Sequence, residues 1–268
     1  MTVGRGTRRR SPTYALAVPS PELVPRIRAH RLERVLPRRR PVVVEGLLDG
    51  QPQLTLYELA EHWGDCRLPV APLEGGVIVY DAKSGVPFRE LPLTEVIDHL
   101  EERDAGIVSV RPSDWLPGIT PRLPSFDPAG ATWRRSRLWV SPRGAVTPLH
   151  HEVTQNLLAQ LEGDKEVTLY APWTRPAMYP QRPWSGMPHT SRVTAHAPDH
   201  GRHPLFSLAR PHRALLNPGD VLFIPAGWWH WVRALAPSLS HNTWFASGPV
   251  ALLARGLERY KELRSLQL

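Results

Sequence analysis

From Arg137 onward the chain breaks into short apolar runs separated by turns, a pattern that few folds accept. The runs cover 137–141, 155–161, 166–170, 220–224, 230–235 and 240–245. Strands this short, at this spacing, argue for a sandwich or a barrel. One segment, 173–212, interrupts them and is rich in Pro, His, Arg and Ser. So long a connection inside a compact domain reads as a lid or substrate loop. Upstream, Pro-Val-Val-Val-Glu-Gly at 41–46 reads as a buried strand ended by a glycine turn, with further strands at 68–71, 76–80 and 108–110. Helices are expected over 54–63, where Leu56, Leu59, Ala60 and Trp63 share a face, and over 93–102, with Val96, Ile97 and Leu100. The charged stretch 21–34 has loose helical spacing. The organisation is then a flexible basic arm at 1–13, one mainly β domain over 14–248 with flanking helices, and an amphipathic helix at 249–268. That last helix carries Leu252, Leu253, Leu257, Tyr260, Leu263 and Leu266.

Composition narrows the setting. The chain has 268 residues, 41% of them apolar, enough for a sizeable core. No run approaches the roughly 20 apolar residues that span a bilayer, and the basic stretch Met1 to Tyr14 lacks the apolar core of a secretory signal. Cys66 is the only cysteine, which fits a reducing cytoplasm. The net charge of +8 raises the question of a nucleic-acid partner. Its dense basic runs, Arg8 to Arg10 and Arg38 to Arg40, do not interleave aromatics as a nucleic-acid groove does, so none is expected.

Two distant segments carry the chemistry. In Thr147-Pro-Leu-His150-His151-Glu152, residues two apart on a strand share a face, so His150 and Glu152 converge on one point. His151 has Val153 at its plus-two position and no such partner. Far downstream, Pro218-Gly-Asp-Val-Leu-Phe-Ile-Pro225 followed by Ala-Gly-Trp-Trp-His230 delivers a second imidazole to the end of a β segment. Two histidines and a carboxylate make the facial triad of non-haem iron oxygenases, with three positions left open. The competing reading makes His150 a hydrogen-bonded core residue and Glu152 a surface charge. It does not account for the second segment. A dianionic 2-oxo acid in the open positions needs a cation for its distal carboxylate. Lys165, in a chain whose other lysines are only Lys83 and Lys261, is the candidate, against the alternative of a solvent-facing turn lysine. Thr147 and Asn156 are placed to donate hydrogen bonds to that ligand. Asn242 is either a further polar contact or a strand cap.

Together these residues resemble the JmjC family of cupin-fold, Fe(II)- and 2-oxoglutarate-dependent oxygenases, nearest its small arginyl- and asparaginyl-hydroxylase-like members. The likeness runs from Arg40 to about Gly248. It is strongest in Thr147-Pro-Leu-His-His-Glu-Val-Thr-Gln-Asn156, in Ala159-Gln-Leu-Glu-Gly-Asp-Lys165 and from Asn217 through His230 to Leu235. The resemblance implies a double-stranded β-helix (cupin or jelly-roll) core with flanking α-helices. It places His150, Glu152 and His230 on the iron ligands, Lys165 and Thr147 on the distal carboxylate of 2-oxoglutarate, Asn156 beside cosubstrate and metal, and Asn242 in a supporting position. Two positions depart from the pattern: Glu152 stands where many hydroxylases of this branch carry aspartate, and Ile107 stands where a cosubstrate-binding tyrosine is common.

The implied activity is dioxygen-dependent hydroxylation of an unactivated C–H bond, with 2-oxoglutarate as cosubstrate, on a peptide or protein side chain. The alternatives are a small amino-acid-like or natural-product substrate, lysine demethylation, and a non-catalytic cupin binding protein. The histidines at 189, 196, 200, 203 and 212 are irregularly spaced, as loop residues rather than a second metal site. Relatives often pair through C-terminal helices, so a homodimer is implied, against packing of that helix on its own β core.

Overall fold

Consecutive strands in the second half of the chain alternate between two facing sheets, which is how short β runs joined by turns close a core without a long helix. The computed structural model describes residues 20–79, 85–185 and 187–265, with side chains described as far as 259. The arm expected at 1–13, and Tyr80, Tyr260, Leu263 and Leu266, lie outside these described residues or side chains.

Among the described residues one sheet runs in the order β1 (Glu22–Leu23), β13 (His212–Leu216), β12 (Lys165–Tyr170), β15 (Trp229–Ala234), β10 (Val146–His151), β6 (Val77–Ile78) and β5 (Leu73–Glu74). The other runs β2 (Arg26–Arg28), β3 (Val42–Glu45), β14 (Val221–Ile224), β11 (Gln155–Glu162), β16 (Ser238–Ala246), β9 (Trp133–Ser141), β8 (Ile107–Val110), β4 (Arg67–Ala71) and β7 (Arg89–Pro92). Strands β9 to β16 form the double-stranded core. Its two four-stranded halves, β13-β12-β15-β10 and β14-β11-β16-β9, are antiparallel throughout. The mainly β, cupin-like architecture expected from the sequence is therefore present.

Leu158, Val167, Leu169, Leu216, Leu222 and Ile224 fill one end of the space between the sheets. A larger apolar cluster covers the outer face of the nine-stranded sheet. There α2 (Leu56–Trp63), following the short α1 (Leu32–Val35), buries Leu56, Leu59 and Trp63, and α3 (Leu93–Asp98), ahead of the single-turn α4 (Pro112–Trp115), buries Leu93 and Val96. Thr55 caps α2 through a reciprocal box with Glu58, satisfying two otherwise orphaned backbone donors.

Three elements differ from expectation. The stretch 21–34 is two short strands before a single turn of α1, because Arg26 to Arg28 pairs in parallel with Val43 to Glu45 and the ladder overrides weak helical spacing. The segment between β12 and β13 is ordered by its own apolar residues. Met178, Val193 and Phe206 pack with Leu149, Tyr170, Trp229 and Trp231, on the outer face of the strands that carry the two histidines. Finally, α5 (Gly248–Ser265) buries Ala251 and Ala254 and leaves Leu252, Leu253 and Leu257 exposed, so these leucines do not pack on the β core.

Candidate metal centre

β10 and β15 run antiparallel with His150 directly opposite His230. Between Thr147 and His150 the register slips: three residues on β10 answer two on β15, a β-bulge. The bulge lets Thr147 and His150, three apart, both face the space between the sheets. Simple alternation would have sent one of them outward. Glu152 lies just past the end of β10, where its carbonyl accepts from the Gly227 backbone N–H at 2.7 Å. Gly227 has φ of +81°, a left-handed turn residue, so this contact fixes both ligand-bearing segments to one another.

One ligand atom from each of His150, Glu152 and His230 lies within 4.8 Å of the others, and this is the metal-competent cluster found among the described residues. The surroundings settle how each is presented. The Nδ1 of His150 is 2.8 Å from the carbonyl of Pro148, and that of His230 is 3.1 Å from the carbonyl of Trp228. A carbonyl can only accept, so both imidazoles carry the proton on Nδ1 and keep the Nε2 lone pair for a metal. Burial, followed by His230's own proximity, holds His150 well below the usual range, and burial pushes His230 down to about 4. Both rings are therefore neutral at physiological pH. Glu152 Oε2 accepts from the indole N–H of Trp244 and, at 3.5 Å, from the Asn156 amide. Asn156 in turn accepts from the Asn242 amide at 3.1 Å. Burial pushes Glu152 up to about 7, outweighing these donors and the charges of Arg135 and Arg137. Two neutral imidazoles and a carboxylate with no ion-pair partner among the described residues are a donor set suited to a divalent cation.

All seven residues singled out from the sequence, Thr147, His150, Glu152, Asn156, Lys165, His230 and Asn242, line one cavity of about 50 Å³. Lys165 is 4% exposed, and its Nζ donates to the Ser240 hydroxyl at 2.6 Å. Burial alone pushes it down to about 7. It pairs with Ala234, four residues along β15 from His230, so the two Cα levels are roughly 13 Å apart along the strand. The two side chains reach into that gap from opposite ends. Ile107 is 2% exposed in the cavity wall and offers no polar contact.

Four further lining residues that carry a polar side-chain atom escaped the sequence reading: Trp139, Ser141, Ser240 and Trp244. Period-two alternation gives Ser240 and Trp244 once Asn242 is taken as inward-facing, and Ser141 with Trp139 follows from the pairing of β9 with β16. The histidines of the intervening segment are spread over separate contacts: His196 against Trp231, His200 against Phe206, His203 against Tyr179 and His212 against Trp228. His189 is the one near the centre, with ring centroids 6.3 Å from His150 and its carbonyl accepting from the His151 backbone.

The sequence profile of a family described as "Cupin-like domain" matches residues 28–250. The chain belongs to that family. This cupin-like domain is 31% identical over 229 residues to "Lysine-specific demethylase 8" of Xenopus tropicalis, covering 81% of the chain and 50% of the relative. Against the protein of that name from Danio rerio it is 32% identical over 242 residues, 83% of the chain and 58% of the relative. "Jumonji C domain-containing protein 5" of Drosophila melanogaster is 37% identical over 109 residues, 41% of the chain and 27% of the relative. The chain thus spans about half the length of the first two of these curated relatives. These names bear out the JmjC resemblance.

Proposed function

We propose that the protein is an Fe(II)- and 2-oxoglutarate-dependent dioxygenase that hydroxylates an unactivated C–H bond on a peptide or protein side chain. The observation that carries this reading is the sharing of one cavity by the His150, Glu152 and His230 cluster and a buried lysine. A metal site alone would serve many chemistries. A metal site sharing its cavity with a buried lysine supports a chelating 2-oxo acid with a distal carboxylate. The chemistry supplied by iron, 2-oxoglutarate and dioxygen together is oxidative decarboxylation coupled to hydroxylation of the substrate.

The chain's own residues orient and exclude. His150 and His230 present Nε2 because backbone carbonyls hold their Nδ1 protons. Trp244 and Asn156 fix the rotamer of Glu152, and Asn242 fixes Asn156. Lys165 and the Ser240 hydroxyl receive the distal carboxylate, with Thr147 beside them, so Ser240 takes the part that a tyrosine at Ile107 would have played. Ile107, Leu158, Ile224 and Val232 keep the walls apolar and dry.

A groove of about 670 Å³ outside the centre supports a polymeric substrate over a small one. Arg38, Arg40 and Arg210 line it beside Trp228 and the 74% exposed Trp173, so the fold brings together aromatics and arginines that are separate in sequence. The segment between β12 and β13 supplies Trp173 and runs along β10 at Thr190 and Ser191, and we assign it the substrate rim. Among the described residues no helix is long and apolar enough to cross a membrane. We place the protein in the cytoplasm on its single cysteine.

The test is succinate release from purified protein with iron(II), ascorbate and 2-oxoglutarate, followed by mass spectrometry of peptides and free amino acids for the gain of one oxygen atom. Loss of a methyl group from a methyl-lysine peptide would move the activity to demethylation. Absence of both iron binding and succinate would leave a cupin binding protein.

A further inference from the structure

β9 carries Leu138 and Val140 into the outer core, and Trp139 and Ser141 into the cavity wall. Alternation therefore turns Arg135 and Arg137 to the inward face as well, stepping from the cavity toward its mouth. Pairing with β16 sets their levels: Trp139 is opposite Ser240, Arg137 opposite Asn242, and Arg135 opposite Trp244. Arg137 thus stands level with the amide chain that holds Glu152. Its Nη1 donates to the Ser109 carbonyl at 2.7 Å and approaches the Ser109 hydroxyl at 3.3 Å. Among the described residues no carboxylate forms an ion pair with it. The indole N–H of Trp139 and the Nε of Arg135 are buried without a hydrogen-bond partner, Glu258 lying 3.6 Å from the latter.

A buried guanidinium without a carboxylate is costly, and such groups are normally paired. Here the neighbours make it worse: burial, then Arg135, then Arg111 push Arg137 down to about 10, outweighing Asp114 and Glu152. Three donors on alternate residues of one strand, met only by the Ser109 oxygens at Arg137 and by Glu258 at 3.6 Å from Arg135, describe a wall that a ligand bringing acceptors would complete. The cosubstrate is served elsewhere, since Lys165 bonds Ser240 one inward step deeper.

We propose that the inward face of β9 binds an anionic group of the substrate, a carboxylate paired with Arg137 and flanked by Trp139 and Arg135, so that the oxidised molecule is an acidic residue or acid. What is done to that ligand rests on the oxygenase reading; its binding does not.

The test is calorimetric titration of the whole protein, with saturating manganese(II) and 2-oxoglutarate and again without either. The probes are capped tripeptides centred on aspartate or glutamate, the matched asparagine, glutamine and arginine tripeptides, and free aspartate and glutamate. The carboxylate probes should bind at least about tenfold tighter than the matched amides, a difference of roughly 1.4 kcal/mol. Arg137→Gln should bring them to the level of the amides. Trp139→Phe, which keeps the ring and removes one donor, should weaken them in the same direction. Preference for the free acids marks a small substrate, and preference for the tripeptides an acidic peptide; either supports the assignment. Equal binding of acids and amides, discrimination that survives Arg137→Gln in protein that melts normally, displacement of the acidic tripeptides by 2-oxoglutarate, or no binding by any probe overturns it. Retained carboxylate binding without succinate formation would remove the oxygenase reading alone.

Discussion

The tautomer of His150 and His230 is set by backbone carbonyls two residues upstream, Pro148 and Trp228, and burial keeps both rings neutral, so the metal ligands are oriented before any metal arrives. His150→Ala should therefore abolish iron binding and turnover while leaving the melting temperature close to that of the parent. A collapse of the fold in this variant would mean that His150 is a core residue. Trp244→Phe removes one donor to Glu152 and leaves an aromatic ring in place; loss of an orienting partner typically costs 10–100-fold, so iron affinity should drop by about that factor. An unchanged iron titration would detach Trp244 from the centre. Lys165 gives a pH signature. Folding holds it near 7 against its ordinary value of about 10.4, so between these limits the unfolded chain binds more protons and stability rises with pH. The penalty of the buried charge is complete below pH 7 and gone above the unfolded value. Lys165→Met should flatten that slope. A bound dicarboxylate restores the charge, so binding of 2-oxoglutarate at pH 8 should take up a proton, visible in calorimetry as a heat that changes with the buffer's ionisation enthalpy. Binding with no proton uptake would take Lys165 out of the cosubstrate site.

Among the elements, the hairpin from β11 to β12 is the one whose turn decides where Lys165 sits. Gly163 has φ of +70°, and a Cβ there would lie 2.1 Å from the Pro237 carbonyl oxygen. Gly163→Ala should destabilise the fold by roughly 1–3 kcal/mol, lowering the melting temperature by several degrees, and should raise the 2-oxoglutarate requirement with it. A melt like the parent's would show that the turn can shift freely. Strands such as β11, β14 and β16 are legible in the sequence because they are apolar runs bounded by turn residues. The strand nature of β10 was needed only to bring His150 and Glu152 together, and there alternation sufficed. Its bulge was not legible, since nothing in Thr147-Pro-Leu-His150 distinguishes a slipped register from a regular one. Nor were β1 and β2: they exist because β13 and β3 offer them edges, and pairing set by a partner elsewhere in the chain leaves no local trace. The partners that orient the ligands are backbone carbonyls and a tryptophan from a third strand, which spacing arguments cannot see.

For the molecule as a whole, α5 has two faces with different destinations. Ala251, Ala254 and Glu258, at spacings of three and four, turn to the body, where Glu258 accepts from the indole N–H of Trp133 at 2.8 Å and from Arg111 at 3.4 Å. Val250, Leu253 and Leu257, at the same spacings, form a stripe that is 40, 53 and 44% exposed, with Leu252 beside it at 67%. A scattered apolar residue on a surface needs no cause, but a stripe along one helix is a face without a partner. Small alanines let the helix sit close on β9 and β16, and that anchoring holds the leucines outward in a fixed row. A second copy of the helix, with its own row, is the occupant that a homodimer supplies. Burying each leucine against such a partner is worth about 1.5–3 kcal/mol, so replacing two of them should be decisive. Leu253→Glu with Leu257→Glu should convert a dimer to a monomer in light scattering, at unchanged melting behaviour of the β core and unchanged iron titration, because the alanine face and Glu258 are untouched. Equal masses for parent and variant would assign the stripe to some other contact.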